Sequence, residues 1–171
     1  MKKRKIKSHK GENGNVLVIG GSEKYPGAAL RLGADLVRVA CPEKVAWAIN
    51  SMNPDLITVK LSGDCVSIRH LKSLKEEIER TDVVLFGNGF GREKASVEFA
   101  KVLSLIEKKK VIDGDALRFV DLRKIKDCVL TPHRAEFVDL LRISKLDEKN
   151  FKKELGDNVI LLKGRVDKIY S

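Results

Sequence analysis

Val83-Val84-Leu85-Phe86-Gly87-Asn88-Gly89-Phe90-Gly91-Arg92 is the stretch on which the fold turns. Four apolar residues, β-branched and aromatic among them, are too few for a buried helix and fit a strand covered on both faces. Three glycines in the next five residues give the backbone freedom where that strand ends. Strands of this kind build mainly parallel sheets, whose ligands gather outside the carboxyl ends of the strands.

Runs of the same character recur along the chain. They predict strands over Val16 to Ile19, Leu36 to Val39, Ile57 to Leu61, Lys110 to Asp113, Cys128 to Thr131 and Val159 to Lys163. Between them, Leu71, Leu74 and Ile78 share one helical face over Arg69 to Arg80. Phe99, Val102, Leu103 and Ile106 follow the i, i+3, i+4, i+7 stripe. Glu43 to Asn50 and Ala135 to Leu141 are shorter helical candidates. This βαβα order predicts an α/β layered fold with a mainly parallel central sheet flanked by helices. One connection is short: between Ile19 and Leu36 a loop and a return crossover must fit, with only Ala28 to Gly33 left for helix.

The chain has 171 residues, enough for one domain with a substantial core. Its 34 Lys plus Arg outweigh 24 Asp plus Glu, giving a net charge of +10, which favours anionic partners. Seven of the first ten residues are Lys, Arg or His, but no aromatic platform or zinc-finger spacing accompanies them, so nucleic acid is not the expected partner. Lys108 to Lys110 form a second cluster at a helix end, where cations complement the helix dipole. The longest apolar runs fall far short of the ~20 residues of a bilayer helix, and no signal peptide is evident, so the expected location is cytoplasmic. Cys41, Cys65 and Cys128 are odd in number and far apart, which predicts buried thiols rather than a disulfide framework. A charged fraction of 34% with no Gln is the bias of proteins from hot environments.

Polar and glycine residues cluster where strands end. The loop Gly20-Gly21-Ser22-Glu23-Lys24-Tyr25-Pro26-Gly27-Ala28 is either an ordinary βα turn or an anion cradle; it is neither a Walker A sequence nor a dinucleotide fingerprint. After Phe86, three glycines point to close approach of a ligand, and Arg92 is placed to meet an anion. Asp113-Gly114-Asp115 presents two carboxylates that suit Mg²⁺ or a phosphate-bearing substrate; alternatively Asp115 caps a helix beginning near Ala116. Thr131-Pro132-His133-Arg134-Ala135-Glu136 sets His133 at a strand-to-helix switch, with a local cap to Glu136 as the plain alternative. His9 and His70 lie in polar stretches and are expected at the surface.

Taken together, His9-Lys10-Gly11, Val16 to Ser22, Tyr25 with Gly27-Ala28, Gly33 to Val37, Gly87 to Gly91, Asp113 to Leu117, Thr131 to Phe137 and Leu162-Lys163-Gly164 resemble a known family. The chain is similar to the ADP- or ATP-dependent NAD(P)H-hydrate dehydratases, the YjeF-type carbohydrate-kinase-like domain of the ribokinase-like superfamily. That resemblance implies a ribokinase-like fold and repair of hydrated NADH or NADPH: phosphorylation of the hydroxyl by ADP or ATP, then elimination of phosphate. It implies that Ala28, Gly89 and His133 contact the hydrated dinucleotide and that Lys163, Gly164, Arg165, Val166 and Asp167 line the nucleotide site. Mg²⁺ would be linked to Glu136, with Asp113 and Asp115 facing the phosphates, and the assembly would be a homo-oligomer. The family pattern also carries a long Ala-rich helix before Arg31, and a later glycine-rich loop whose aspartate acts as general base. Neither occurs within residues 1–171, so the expectation is a single ribokinase-like domain that is incomplete near 28–33 and beyond Ser171. A small-molecule kinase of the same fold, or a non-catalytic nucleotide- or nucleic-acid-binding homologue, are the alternatives.

Overall fold

The computed structural model describes residues 14–21 and 36–171. Eight strands form one sheet: β1 (Asn15–Ile19), β2 (Leu36–Pro42), β3 (Ile57–Leu61), β4 (Val83–Phe86), β5 (Lys109–Ile112), β6 (Cys128–Leu130), β7 (Val159–Leu162) and β8 (Lys168–Tyr170). Their lateral order is β3-β2-β1-β4-β5-β6-β7-β8. Every neighbouring pair is parallel except β7 and β8. The helices are α1 (Glu43–Met52), α2 (Leu71–Glu79), α3 (Lys94–Ser104) and α4 (Arg134–Ile143), with 3₁₀ turns at Ile68–His70, Gly114–Arg118 and Phe151–Glu154.

The strands alternate faces, and the helices sort onto them accordingly. Val84, Phe86, Ile112, Leu130 and Ile160 point to one side. There they join Leu74 of α2, Phe99 and Leu103 of α3, and Phe137 and Leu140 of α4 in the main core. Val18, Val39 and Cys41 point to the other side and pack against Val45, Ala46 and Ile49 of α1. Of the predicted stripes, Leu74 of α2 and Phe99 and Leu103 of α3 are buried, Leu71, Ile78 and Ile106 are partly buried, and Val102 is instead 40% exposed, so an aliphatic core with a few phenylalanines holds the layers together.

Two buried polar groups tie strand starts to the turns that precede them. Asn158 is 2% exposed; its Oδ1 accepts the Cys128 N–H at 3.1 Å, and its Nδ2 donates to the carbonyls of Ile125 and Leu155 at 3.0 and 2.8 Å. Lys110, 3% exposed, donates to the carbonyls of Ile106 and Lys108 beyond the end of α3, and Lys108 donates to those of Glu79, the last residue of α2, and Thr81 just after it. The second lysine cluster therefore serves helix and turn carbonyls, as its position predicts.

Several expectations are corrected. His70 is buried, 4% exposed, because its Nδ1 accepts the Ser67 N–H at 3.1 Å and its Nε2 lies 3.0 Å from the Ser62 carbonyl. Burial lowers its pKa, partly offset by the Ser62 contact and reinforced by the Arg69 charge. Cys41 and Cys128 are buried free thiols, each pushed up to about 11 by desolvation, but Cys65 is only half-buried. β8 is a strand that no apolar run announced. His9, the N-terminal basic run and the crossover near 28–33 lie outside the described residues. Among the described residues no helix is long and apolar enough to cross a membrane.

Replacing Asn158 by Ala would strand two buried backbone groups, the Cys128 N–H and the Ile125 carbonyl, each worth about 1–3 kcal/mol when left unpaired, while the Leu155 carbonyl keeps the backbone N–H of residue 158. Urea unfolding of Asn158→Ala should show a loss of about 2 kcal/mol or more, whereas Asn→Ala at exposed Asn150 should cost well under half of that.

Candidate functional site

The strand order reverses between β1 and β4: from β1 the chain proceeds toward β2 and β3, from β4 toward β5 and β6. In an open parallel sheet such a switch point, at the carboxyl ends of the strands, is where ligands gather. The loops after β1, β4 and β5 are pressed together there. The Gly21 N–H donates to the Asn88 carbonyl at 2.8 Å, and a Cβ on Gly20 would lie 2.5 Å from that same oxygen. Gly87 has φ +115°, and a Cβ there would lie 2.1 Å from the Asp113 carbonyl and 2.5 Å from the Ala116 Cβ. Any side chain at 20 or 87 would wedge these loops apart. The Asn88 Oδ1 beside them is buried and has no hydrogen-bond partner among the described residues.

One carboxylate joins the next three strands. Asp113, directly after β5, accepts from Thr131 Oγ1 of the β6 loop at 2.7 Å and from Lys163 Nζ after β7 at 2.8 Å. Burial alone would raise its pKa; the hydrogen bonds from Lys163 and Thr131, the ammonium charge and the Gly114 N–H together hold it below the ordinary aspartate range. Lys163 keeps 43% of its side chain exposed, so an ammonium with unspent donors faces solvent at the rim. Its backbone N–H donates to the Pro132 carbonyl at 2.8 Å, which sets it beside His133.

His133 caps α4. Its Nδ1 accepts the N–H groups of Ala135 and Glu136 at 3.1 and 3.3 Å, and Glu136 Oε2 accepts the His133 N–H at 2.9 Å. Glu136 Oε1 lies 3.3 Å from His133 Nε2. Because Nδ1 is an acceptor, the proton of the neutral ring sits on Nε2. Half of the His133 side chain remains exposed.

The structure thus brings Asp113, His133 and Lys163 together on one rim, with Gly89 (φ +68°) in the adjoining loop. Gly164, Arg165, Val166 and Asp167 form the connection from β7 to β8, closed by the Gly164 N–H donating to Asp167 Oδ1 at 3.0 Å; they are exposed. Ala28 lies outside the described residues. Asp115 does not cap a helix from Ala116: it lies inside the 3₁₀ turn, and its Oδ2 accepts the Gly91 N–H at 3.0 Å, fastening the glycine loop. Arg92 is exposed. Asp113, Asp115 and Glu136 each serve a different protein partner, and among the described residues no three His, Cys, Asp or Glu side chains converge as a metal shell. The Asp113–Thr131–Lys163 network itself went unread in the sequence, because its members stand at the ends of three different strands.

The family model described as NAD(P)H-hydrate dehydratase matches residues 16–171. A bifunctional NAD(P)H-hydrate repair enzyme of Methanothermobacter thermautotrophicus is 39% identical over 186 residues, covering 95% of this chain and 36% of its own. An ATP-dependent (S)-NAD(P)H-hydrate dehydratase of Arabidopsis thaliana is 32% identical, covering 96% and 56%. The chain therefore spans between about a third and just over half the length of these relatives. Among solved structures, a hypothetical protein of Streptococcus mutans matches with a TM-score of 0.76 at 28% identity, covering 99% of this chain and 66% of its own. An ADP/ATP-dependent NAD(P)H-hydrate dehydratase of Bacillus subtilis, co-crystallised with ATP and Mg²⁺, shares the fold at a TM-score of 0.68 and 21% identity, covering 99% and 64%.

The depressed Asp113 pKa fixes a pH signature. A carboxylate whose folded pKa lies below its unfolded value, about 3.9, adds stability that is present above that value and lost as pH falls through the folded pKa. Asp113→Asn should therefore be less stable than wild type at pH 7, and the gap should close as pH drops below about 4, measured by thermal melts across pH.

Proposed function

Because this chain belongs to the NAD(P)H-hydrate dehydratase family, we propose that it restores hydrated NADH or NADPH at the expense of ADP or ATP. The observation that carries this reading is the rim itself: Gly20 and Gly87 let the loops at the strand ends lie in contact, next to a half-exposed ammonium held by Asp113. The repair and dehydratase names of the relatives supply the substrate class.

The chemistry explains why such a site suffices. Water adds across a double bond of the dihydronicotinamide ring, and the resulting hydroxyl leaves poorly, since water's pKa is about 15.7. Transfer of the terminal phosphoryl group to that hydroxyl releases its proton and gives a leaving group whose second pKa is about 6. The ring nitrogen's lone pair then expels phosphate, and loss of a ring proton restores the double bond. Phosphoryl transfer asks the protein mainly for positioning and charge neutralisation. Lys163 supplies a cation to the phosphates, the glycine loops admit them, and His133 and Gly89 border the dinucleotide, with Ala28 as a further contact. Gly164 to Asp167 line the nucleotide.

Magnesium in this reading arrives with the nucleotide, held chiefly by phosphate oxygens and water, as is usual for this ion. Asp113, Asp115 and Glu136 as placed do not form its shell, so none of the steps above depends on it. The general base of this reading is an aspartate on the family's later glycine-rich loop, part of the same single ribokinase-like domain. The protein would work in the cytoplasm as a homo-oligomer. Trp47 and Met52 on α1 and Ile57 on edge strand β3, each close to or above half exposed, offer apolar area for the association.

The test is recovery of the near-ultraviolet absorbance of NADH when full-length protein meets hydrated NADH with ADP or ATP and magnesium. No recovery with either nucleotide would reject the reading. Lys163→Ala should lower kcat/KM by about 100-fold, the cost typical of removing one preorganised charge-stabilising donor. His133→Asn, which keeps an N-cap, should leave the melting temperature near wild type while raising KM for the hydrate.

A further inference from the structure

We propose that a groove at the amino ends of β4, β5 and β6 is a second anion site, suited to a phosphorylated small molecule. It lies at the opposite end of the sheet from the rim described above and does not depend on that reading. The groove measures about 900 Å³, within the size range of small-molecule sites. Lys108, Lys109, Lys110, Lys124 and Lys126 all line it.

Two of these lysines have structural duties that leave charge unspent. Lys110 Nζ donates to two carbonyls at 2.6 and 2.8 Å, and Lys108 Nζ to two others at 2.9 and 2.6 Å. An ammonium has three donors, so one N–H of each remains. Among the described residues neither has a carboxylate within ion-pair distance, although Lys110 is 3% exposed. A cation withdrawn from water without an anion is an unfavourable arrangement that a bound anion relieves.

The other three lysines are exposed on the same wall, and none forms an ion pair among the described residues. The acidic groups of the groove are Asp82, Glu107 and Asp127, and Asp82 already accepts the Asn15 N–H at 2.7 Å. Thr81, which also lines the groove, carries a buried hydroxyl with no partner among the described residues. Five lysines line one concavity against three acidic residues, and a compact anion with several oxygens offsets that excess of positive charge. A concave cup fits such an anion better than the extended backbone of a nucleic acid, which needs a track.

Isothermal titration calorimetry with inorganic tripolyphosphate tests this on wild type, Lys163→Ala and the triple variant K109Q/K124Q/K126Q, with thermal melts verifying the fold. The proposal expects a binding component that persists in Lys163→Ala and weakens at least tenfold in the triple variant. Tripolyphosphate binding unchanged in the triple variant, or abolished by Lys163→Ala alone, overturns it. A dodecathymidylate that binds the wild type more tightly than tripolyphosphate, and loses affinity in the triple variant, also overturns it, because the groove would then be a nucleic-acid surface.

Discussion

The carboxylate of Asp113 is the constraint on which the rim depends. It stands at the end of β5 and takes hydrogen bonds from the loop after β6 and from the residue after β7. Three parallel strands are thereby fastened at their carboxyl ends by one side chain, and the strand order makes this possible by setting β5, β6 and β7 side by side. The same contact aims Lys163. A free lysine at a strand end would sample many rotamers; an ammonium tethered at 2.8 Å has lost that freedom before any phosphate arrives, which is the substance of preorganisation.

Absence of side chains matters as much on the other half of the rim. Gly20 and Gly87 let the loops after β1, β4 and β5 lie in contact, and Asp115 holds the glycine loop by its Gly91 N–H. The crevice at the switch point is therefore shaped by backbone, which can approach a phosphate more closely than side chains can. The two carboxylates of Asp113-Gly114-Asp115 divide the work: one orients a cation, the other fixes a loop. Glu136 likewise completes the cap of α4. Asp113, Asp115 and Glu136 are thus each engaged with a different protein partner.

Much of the layered fold was legible because a fully apolar four-residue run such as Val83 to Phe86 has few structural alternatives. β8 was not, since Lys168-Ile169-Tyr170 is short, carries a charge and pairs antiparallel at the edge, where Ile169 stays 71% exposed. His70 misled because its neighbours are polar while its ring is drawn inward by the Ser67 N–H and the Ser62 carbonyl. In the site, the glycine loops and His133 stood out through local pattern. The pairing of Asp113 with Lys163, fifty residues later, did not, because it depends on which strands lie next to which. The family resemblance put both residues at one site, but their contact needed the sheet order.

In the proposed function this rim couples phosphoryl transfer to loss of the same phosphate from a dihydronicotinamide ring. Product stoichiometry with hydrated NADH and either ADP or ATP tests that coupling. One inorganic phosphate should be released for each nucleotide consumed and each dinucleotide restored. A phosphorylated dinucleotide that accumulates without phosphate release would contradict it and make the protein a kinase.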